Sequence, residues 1–222
     1  MKTARRVRFC FDYISNNAYL AWVALVRMAE RDGFVLVPEP VLFAGLLNST
    51  GQLGPAEIPA KSRWMWRNTL RKAAILDVPL HPPIHHPFRP LLSLRASLVP
   101  MTDQQRTALV TALFEAVWVE SLHVSESEVV ASVANRIGLD GAALVAAADQ
   151  PEIKDRLRRA TDDAIAEGVF GVPTMIVDGE LFWGYDDLPY LEAFLAGEDP
   201  LDPSQLPTRE SGPKPSARRP RP

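Results

Sequence analysis

Residues 168–187 read GVFGVPTMIVDGELFWGYDD. Two short apolar runs, Thr174–Val177 and Glu180–Trp183, flank Asp178-Gly179. Asp-Gly between strand-like runs predicts a tight hairpin, because both central positions of such a turn need positive φ. Val172-Pro173 stands directly before the first run. Proline donates nothing to a sheet ladder, so at a strand start it marks an edge or a special geometry. X-Pro is also the bond at which cis is cheap. A cis bond here leaves the N–H and C=O of Val172 outside the sheet, open to a peptide-like ligand paired as an added strand. The same residues also read as an ordinary hairpin that closes on a short amphipathic helix, Leu188–Leu195, ended by Gly197. The hairpin by itself leaves scaffold and site both open.

The N-terminal part supplies the other half of a sheet. Val7–Tyr13 (VRFCFDY) alternates Phe9, Phe11 and Tyr13 against Arg8, Cys10 and Asp12, the pattern of a strand. Ile14–Asn17 breaks it, and from Ala18 to Arg31 apolar residues recur at helical spacing until Gly33. Phe34–Val37 is a second strand. This β-α-β start predicts parallel strands with a right-handed crossover. It places Ser15 at the C-terminal end of the first strand, the side on which open α/β sheets bind ligands.

Between the halves the strand pattern disappears. Helices are predicted over Pro59–Leu76, over Thr102–Ser121 with Thr102 or Asp103 as cap, and from a Ser125 or Ser127 cap to Ile137. Two more cover Asp140–Ala148 and Pro151–Glu167, the latter with proline in its first turn. His81–Pro90 (HPPIHHPFRP) is a connector too rich in proline for helix or central strand. The expected organisation is therefore an α/β domain from residues 5–40 and 165–198, a helical insertion over 41–164, and a proline-rich disordered tail over 199–222.

With 222 residues, 47% of them hydrophobic, the chain can bury a core without staples. A net charge of −3 gives no electrostatic case for nucleic acid or an anionic membrane. One cysteine, Cys10, excludes an internal disulfide framework and a cysteine-rich metal site. No signal-type or membrane-spanning apolar run is present, so a reducing cytoplasmic setting is expected.

The segments FDYISNNAYLAW (Phe11–Trp22), GPAEIPAK (Gly54–Lys61), PFRPLLSLR (Pro87–Arg95) and GVFGVPTMIVDGELFWGYDDL (Gly168–Leu188) carry a family resemblance. Over about residues 7–196 the chain resembles the 2-hydroxychromene-2-carboxylate isomerases, relatives of kappa-class glutathione transferases within the thioredoxin superfamily. The resemblance implies a thioredoxin-like fold of DsbA-like form with an all-helical insertion, glutathione as cofactor, an aromatic-acid substrate and a homodimer. It implies isomerisation between a 2-hydroxychromene-2-carboxylate and a trans-o-hydroxybenzylidenepyruvate, or of a similar acid of aromatic catabolism, by reversible thiolate addition. Two alternatives are a kappa-type transferase or peroxidase and a non-catalytic glutathione- or peptide-binding module.

The turn that carries Cys-x-x-Cys in a redox thioredoxin is Ser15-Asn16-Asn17-Ala18 here, so disulfide exchange is excluded at this place. Ser15 reads as a helix N-cap, and the resemblance makes it also the hydroxyl donor to the glutathione sulfur. One donor plus a helix end lowers a thiol from roughly 8.5 by about two pH units, enough to ionise it near neutrality. By the same resemblance Val172 and Pro173 hold the cysteinyl backbone. Trp183, Gly184, Tyr185 and Asp186 receive the γ-glutamyl end, with Asp186 facing its ammonium group or, alternatively, capping the last helix. Lys61 and Arg63 meet the second substrate's carboxylate, Trp64 or Trp66 stacks on its ring, and Asn48 and Arg89 are further candidates. The chain departs from the family at Asn16 for Pro, Trp64 for Tyr, Asn68 for Asp, Arg89 for Asn, and Asp187 for Arg. His81, His85 and His86 lack metal-ligand spacing, and no metal is expected. His123 is expected at the surface, and Cys10 reads as a buried structural residue on the sheet face opposite Phe9 and Phe11.

Overall fold

The computed structural model describes residues 4–206. The chain runs β1 (Arg6–Phe11), α1 (Asn16–Asp32), β2 (Val35–Pro40), α2 (Phe43–Thr50), α3 (Pro59–Leu76), α4 (Leu91–Ala96), α5 (Asp103–Trp118) and α6 (Ser127–Arg136). It continues through α7 (Gly141–Ala148), α8 (Pro151–Ala166), β3 (Thr174–Val177), β4 (Glu180–Trp183) and α9 (Leu188–Ala196). The strands form one sheet in the order β2-β1-β3-β4. β1 and β2 are parallel, whereas β3 runs antiparallel to both β1 and β4. A βαβ unit and a ββα unit thus share one sheet, the thioredoxin-like plan that the resemblance implied.

Alternation in β1 sorts its side chains to two faces. Phe9 and Phe11 turn inward, with the Phe9 ring 5.6 Å from Trp22 and the Phe11 ring 5.3 Å from Phe114. Cys10 points the other way, into a second cluster with Val41, Leu46, Ala164, Val169 and Ile176, and burial pushes its thiol well above the ordinary value. The inner face is continuous with the helices between β2 and β3. Phe114 and Trp118 of α5, Leu144 of α7 and Leu157 of α8 join the same core as Phe9, Phe11 and Trp22. Trp118 Nε1–H donates to the Tyr13 carbonyl at 3.0 Å, so the insertion is tied to the turn after β1.

Several boundaries differ from the expected ones. β1 stops at Phe11, because the Asp12 carboxylate turns back onto backbone amides. β2 extends through Pro38 and Pro40. As an edge strand it needs no N–H on its outer side, so proline is tolerated. α5 ends at Trp118 rather than Ser121. α6 has Glu126, not a serine, at its cap position, while Ser125 Oγ donates to the Arg89 carbonyl. α2 and the six-residue α4 were not expected from periodicity. The hairpin is as read: Asp178 and Gly179 have φ of 52° and 88°. Within the expected tail, Pro203–Gln205 forms a 3-10 turn capped by Asp202, and residues 207–222 lie outside the described ones. Among the described residues no helix is long and apolar enough to cross a membrane.

α6 and α7 meet at Gly141, where a β-carbon would lie 2.1 Å from the Ala131 carbonyl oxygen. That neighbour is backbone and cannot swing aside. Gly141→Ala is therefore expected to destabilise the fold by about 2–3 kcal/mol, read as a lower urea midpoint. An unchanged midpoint shows that the helices separate without cost.

Candidate active site

Asp12 shapes the turn that presents Ser15. Its carboxylate accepts the N–H of Ile14 at 3.0 Å and of Phe43 at 2.9 Å, and its own carbonyl accepts the Ser15 N–H at 3.0 Å. The carboxyl is buried. Burial raises it to about 7, against the pull of the two amides. Ser15 then takes the N-cap position of the 17-residue α1, in extended backbone conformation. Its Oγ accepts the Ala18 N–H at 3.2 Å and donates to the Val172 carbonyl at 3.5 Å. The second contact is long for an O–H···O bond, so the hydroxyl proton is nearly free for another acceptor. The next residue, Asn16, is buried with Nδ2 unpartnered.

The hairpin half meets this turn from across the sheet. The Val172–Pro173 peptide is cis, and the Val172 N–H has no main-chain acceptor among the described residues. The Pro173 carbonyl accepts the Gly184 N–H at 2.8 Å, which brings residues 183–186 alongside the proline. Trp183 is half-exposed, with its ring centroid 5.0 Å from that of Phe170. The alternative cap role for Asp186 is not what the structure has. Asp187 occupies the cap position of α9, and its Oδ2 accepts the Trp183 N–H at 2.8 Å. Asp186 instead pairs with Lys72 of α3 at 2.7 Å.

Lys72 is a residue that sequence reasoning missed. Its Nζ also donates to Asn17 Oδ1 at 3.1 Å and lies 5.1 Å from the centre of the Tyr185 ring. A signal was present. Met65, Thr69, Lys72 and Ala73 share the buried face of α3, and a lysine on an inward face needs a partner. His86 is a second such residue, which the sequence offers only as a metal-ligand candidate without the spacing for one. Its Nε2 lies 3.1 Å from the Ile14 carbonyl. A carbonyl only accepts, so Nε2 carries the proton and Nδ1 is the open acceptor. The ring lies 5.3 Å from Trp66 and 5.8 Å from Trp118, and burial lowers its pKa, keeping it neutral at neutral pH.

Ser15, Val172, Pro173, Trp183, Gly184, Tyr185 and Asp186 are therefore brought to one end of the sheet. No hydrogen bond, ion pair or ring pair among the described residues joins the substrate-side candidates to them. Asn48 stands exposed on α2, Lys61, Arg63 and Trp64 are exposed in the first turns of α3, and Arg89 is exposed in the proline-rich connector. Of the two tryptophans, Trp66 is the one packed toward His86 and Trp118, while Trp64 is 61% exposed. His123 is half-buried rather than on the surface, its ring 4.2 Å from that of His85. Among the described residues no three metal-ligating side chains converge. A separate groove of about 940 Å³ runs along β2 past Arg8, Glu39, Arg106 and Arg156 and includes none of the candidate site residues.

A family model described as a DSBA-like thioredoxin domain matches residues 6–196. A 2-hydroxychromene-2-carboxylate isomerase of Sphingobium xenophagum is 32% identical over 193 residues, covering 86% of this chain and 98% of the relative. A kappa 2 glutathione S-transferase of Caenorhabditis elegans is 28% identical and covers 96% of this chain and 99% of its own. Among solved structures, a 2-hydroxychromene-2-carboxylate isomerase superposes with a TM-score of 0.81 at 26% identity, covering 86% of this chain and 95% of that one.

Proposed function

We propose, for a chain that belongs to the DSBA-like thioredoxin domain family and within it to the 2-hydroxychromene-2-carboxylate isomerases, that it is a glutathione-dependent isomerase of a hydroxychromene or benzylidenepyruvate-type acid. The observation that carries this reading is the Ser15 hydroxyl, set at the N-terminus of α1 with its Oγ 3.5 Å from the Val172 carbonyl oxygen. A hydroxyl and a helix N-terminus facing one sulfur favour its thiolate. The residues present fit glutathione in three respects. The open Val172 N–H suits the cysteinyl backbone, Ser15 suits the sulfur, and the outward oxygen of the largely exposed Asp186 suits the ammonium group. Bound glutathione supplies a thiol nucleophile that adds reversibly to an activated double bond and is regenerated.

The chain's own residues have narrower tasks. Ser15 holds negative charge on the sulfur. Val172 and Pro173 orient the peptide. His86, neutral and with Nδ1 open, stands with Trp66 in front of the fully buried Trp118 and offers an aromatic wall for the acid's ring. A transferase reading has its own support in the kappa-class relative. Absorbance of the chromene and its open form, with and without glutathione, tests the proposal. Glutathione-dependent interconversion is the expected result. Conjugation of chlorodinitrobenzene without interconversion favours the transferase, and glutathione binding without either reaction favours a binding module.

A further inference from the structure

We propose that Lys72 and Asp186 form one reader of an α-amino-acid zwitterion, Lys72 taking the carboxylate and Asp186 the ammonium of a γ-glutamyl end group. The proposal rests on the glutathione reading above and assigns within it a residue that no segment of the family resemblance contains.

The geometry is direct. Lys72 reaches from the buried face of α3 with its side chain only 11% exposed, while that of Asp186 is 74% exposed. An ammonium has three N–H donors. Two of them have acceptors, Asp186 Oδ2 at 2.7 Å and Asn17 Oδ1 at 3.1 Å, so the third has no hydrogen-bond acceptor among the described residues and only the Tyr185 ring, 5.1 Å from Nζ, beside it. A carboxylate has two oxygens, and the second of Asp186 has no hydrogen-bond partner among the described residues. An unused donor and an unused acceptor therefore stand on groups already in contact. That arrangement complements a ligand whose opposite charges are one carbon apart. Both groups lie at the correct end of the cleft, because Asn17 is in the first turn of α1, two residues after Ser15, and Asp186 is two residues after Gly184, which is bonded to Pro173.

Packing alone does not call for a lysine here. Met65 and Ala73 on the same inward face are apolar and the Thr69 hydroxyl is bonded within its own helix, and replacing a buried ion pair by apolar side chains is often neutral or stabilising. The charge at position 72 thus comes without a stability argument in its favour. Its position does answer an electrostatic need. Residues 186 and 187 are both aspartates, so without Lys72 the segment offers a carboxylate-bearing ligand only like charge. Arg27, the other cation near Tyr185, bonds the Leu76 carbonyl at 2.8 Å and makes no ion pair with either aspartate among the described residues.

Calorimetric titration of the full chain with three ligands tests this. They are glutathione, its α-carboxamide at the γ-glutamyl residue, and the analogue in which glutaryl replaces γ-glutamyl. The wild-type chain is expected to bind glutathione about 10- to 100-fold tighter than either analogue. Lys72→Met should lose that preference over the carboxamide while keeping the preference over the glutaryl analogue, and Lys72→Arg should restore the first. Wild-type affinities equal for glutathione and the carboxamide overturn the proposal without any variant. So does a Lys72→Met loss that is uniform across the three ligands, the mark of a structural role. In both cases measurable glutathione binding leaves the parent reading standing. No binding of glutathione by the wild type overturns both.

Discussion

Replacing Ser15 by alanine is expected to slow glutathione-dependent turnover about 100-fold, the equivalent of about 2.7 kcal/mol in the barrier, while the fold loses only about 1 kcal/mol. The two figures come from two roles of one hydroxyl, as acceptor in the helix cap and as donor to the sulfur. As a cap, Ser15 Oγ satisfies the Ala18 N–H at 3.2 Å, and removing such a cap costs about 1 kcal/mol. As a donor, it has among the described residues only the distant Val172 carbonyl, 3.5 Å from Oγ. A thiolate at that place gains a full charge-assisted bond, worth roughly 1.5–3 kcal/mol. The ultraviolet absorbance of the thiolate, followed against pH in the glutathione complex, separates the effects. In Ser15→Ala the thiol should ionise at higher pH, whereas the urea midpoint should move little. A variant that keeps wild-type turnover removes Ser15 from the chemistry and leaves it a cap.

The second large effect is on stability and its pH dependence. Asp12 is buried and its carboxyl is raised from 3.8 to about 7, desolvation being the main cause. Between those values the folded chain holds a proton that the unfolded chain has released. Stability therefore falls as pH rises through this window, from a maximum contribution below about pH 4 to a full loss above about pH 7. At about 1.4 kcal/mol per pH unit the difference amounts to roughly 4 kcal/mol. Asp12→Asn does not titrate. One of its ends presents an NH₂ to the amides of Ile14 or Phe43, which costs about 1–3 kcal/mol at every pH. The wild-type minus Asp12→Asn difference in unfolding free energy, measured by urea titration from pH 4.5 to 7.5, should thus fall with rising pH and change sign, because the wild-type loss exceeds the variant's constant penalty. Parallel curves show that Asp12 stays ionised throughout.

Much of the fold was legible because it depends on short-range chemistry. Asp178-Gly179 accepts positive φ at adjacent positions, so the hairpin follows from a dipeptide. The aromatic alternation of β1 and the period of α1 are also local. Boundaries failed where the deciding partner is distant. β1 ends where it does because Asp12 bonds an amide of Phe43 at the start of α2. β2 passes through two prolines because it is an edge strand, a fact set by the order β2-β1-β3-β4. α4 has six residues, too few for a helical period to show.

The candidate site divides in the same way. Ser15 and the segment from Val172 to Asp186 stood out from turn chemistry, helix-cap preference and family resemblance. Lys72 did not, since an isolated lysine on a helix reads as a solvated face until its inward position is known. Trp66 and Trp64 are likewise indistinguishable until α3 is packed. By itself the sequence determined the β-α-β start, the hairpin behind Val172-Pro173 and a serine where a thiol redox motif has cysteine. The first two rest on backbone preferences within a few residues of each other, the third on the family resemblance. Only the tertiary structure decided that Ser15 touches a carbonyl 157 residues away and that Lys72 neutralises an aspartate 114 residues away. Such pairs have no local signature, because what selects them is the burial of a charge or a hydroxyl, and burial exists only once the sheet and helices have closed around it.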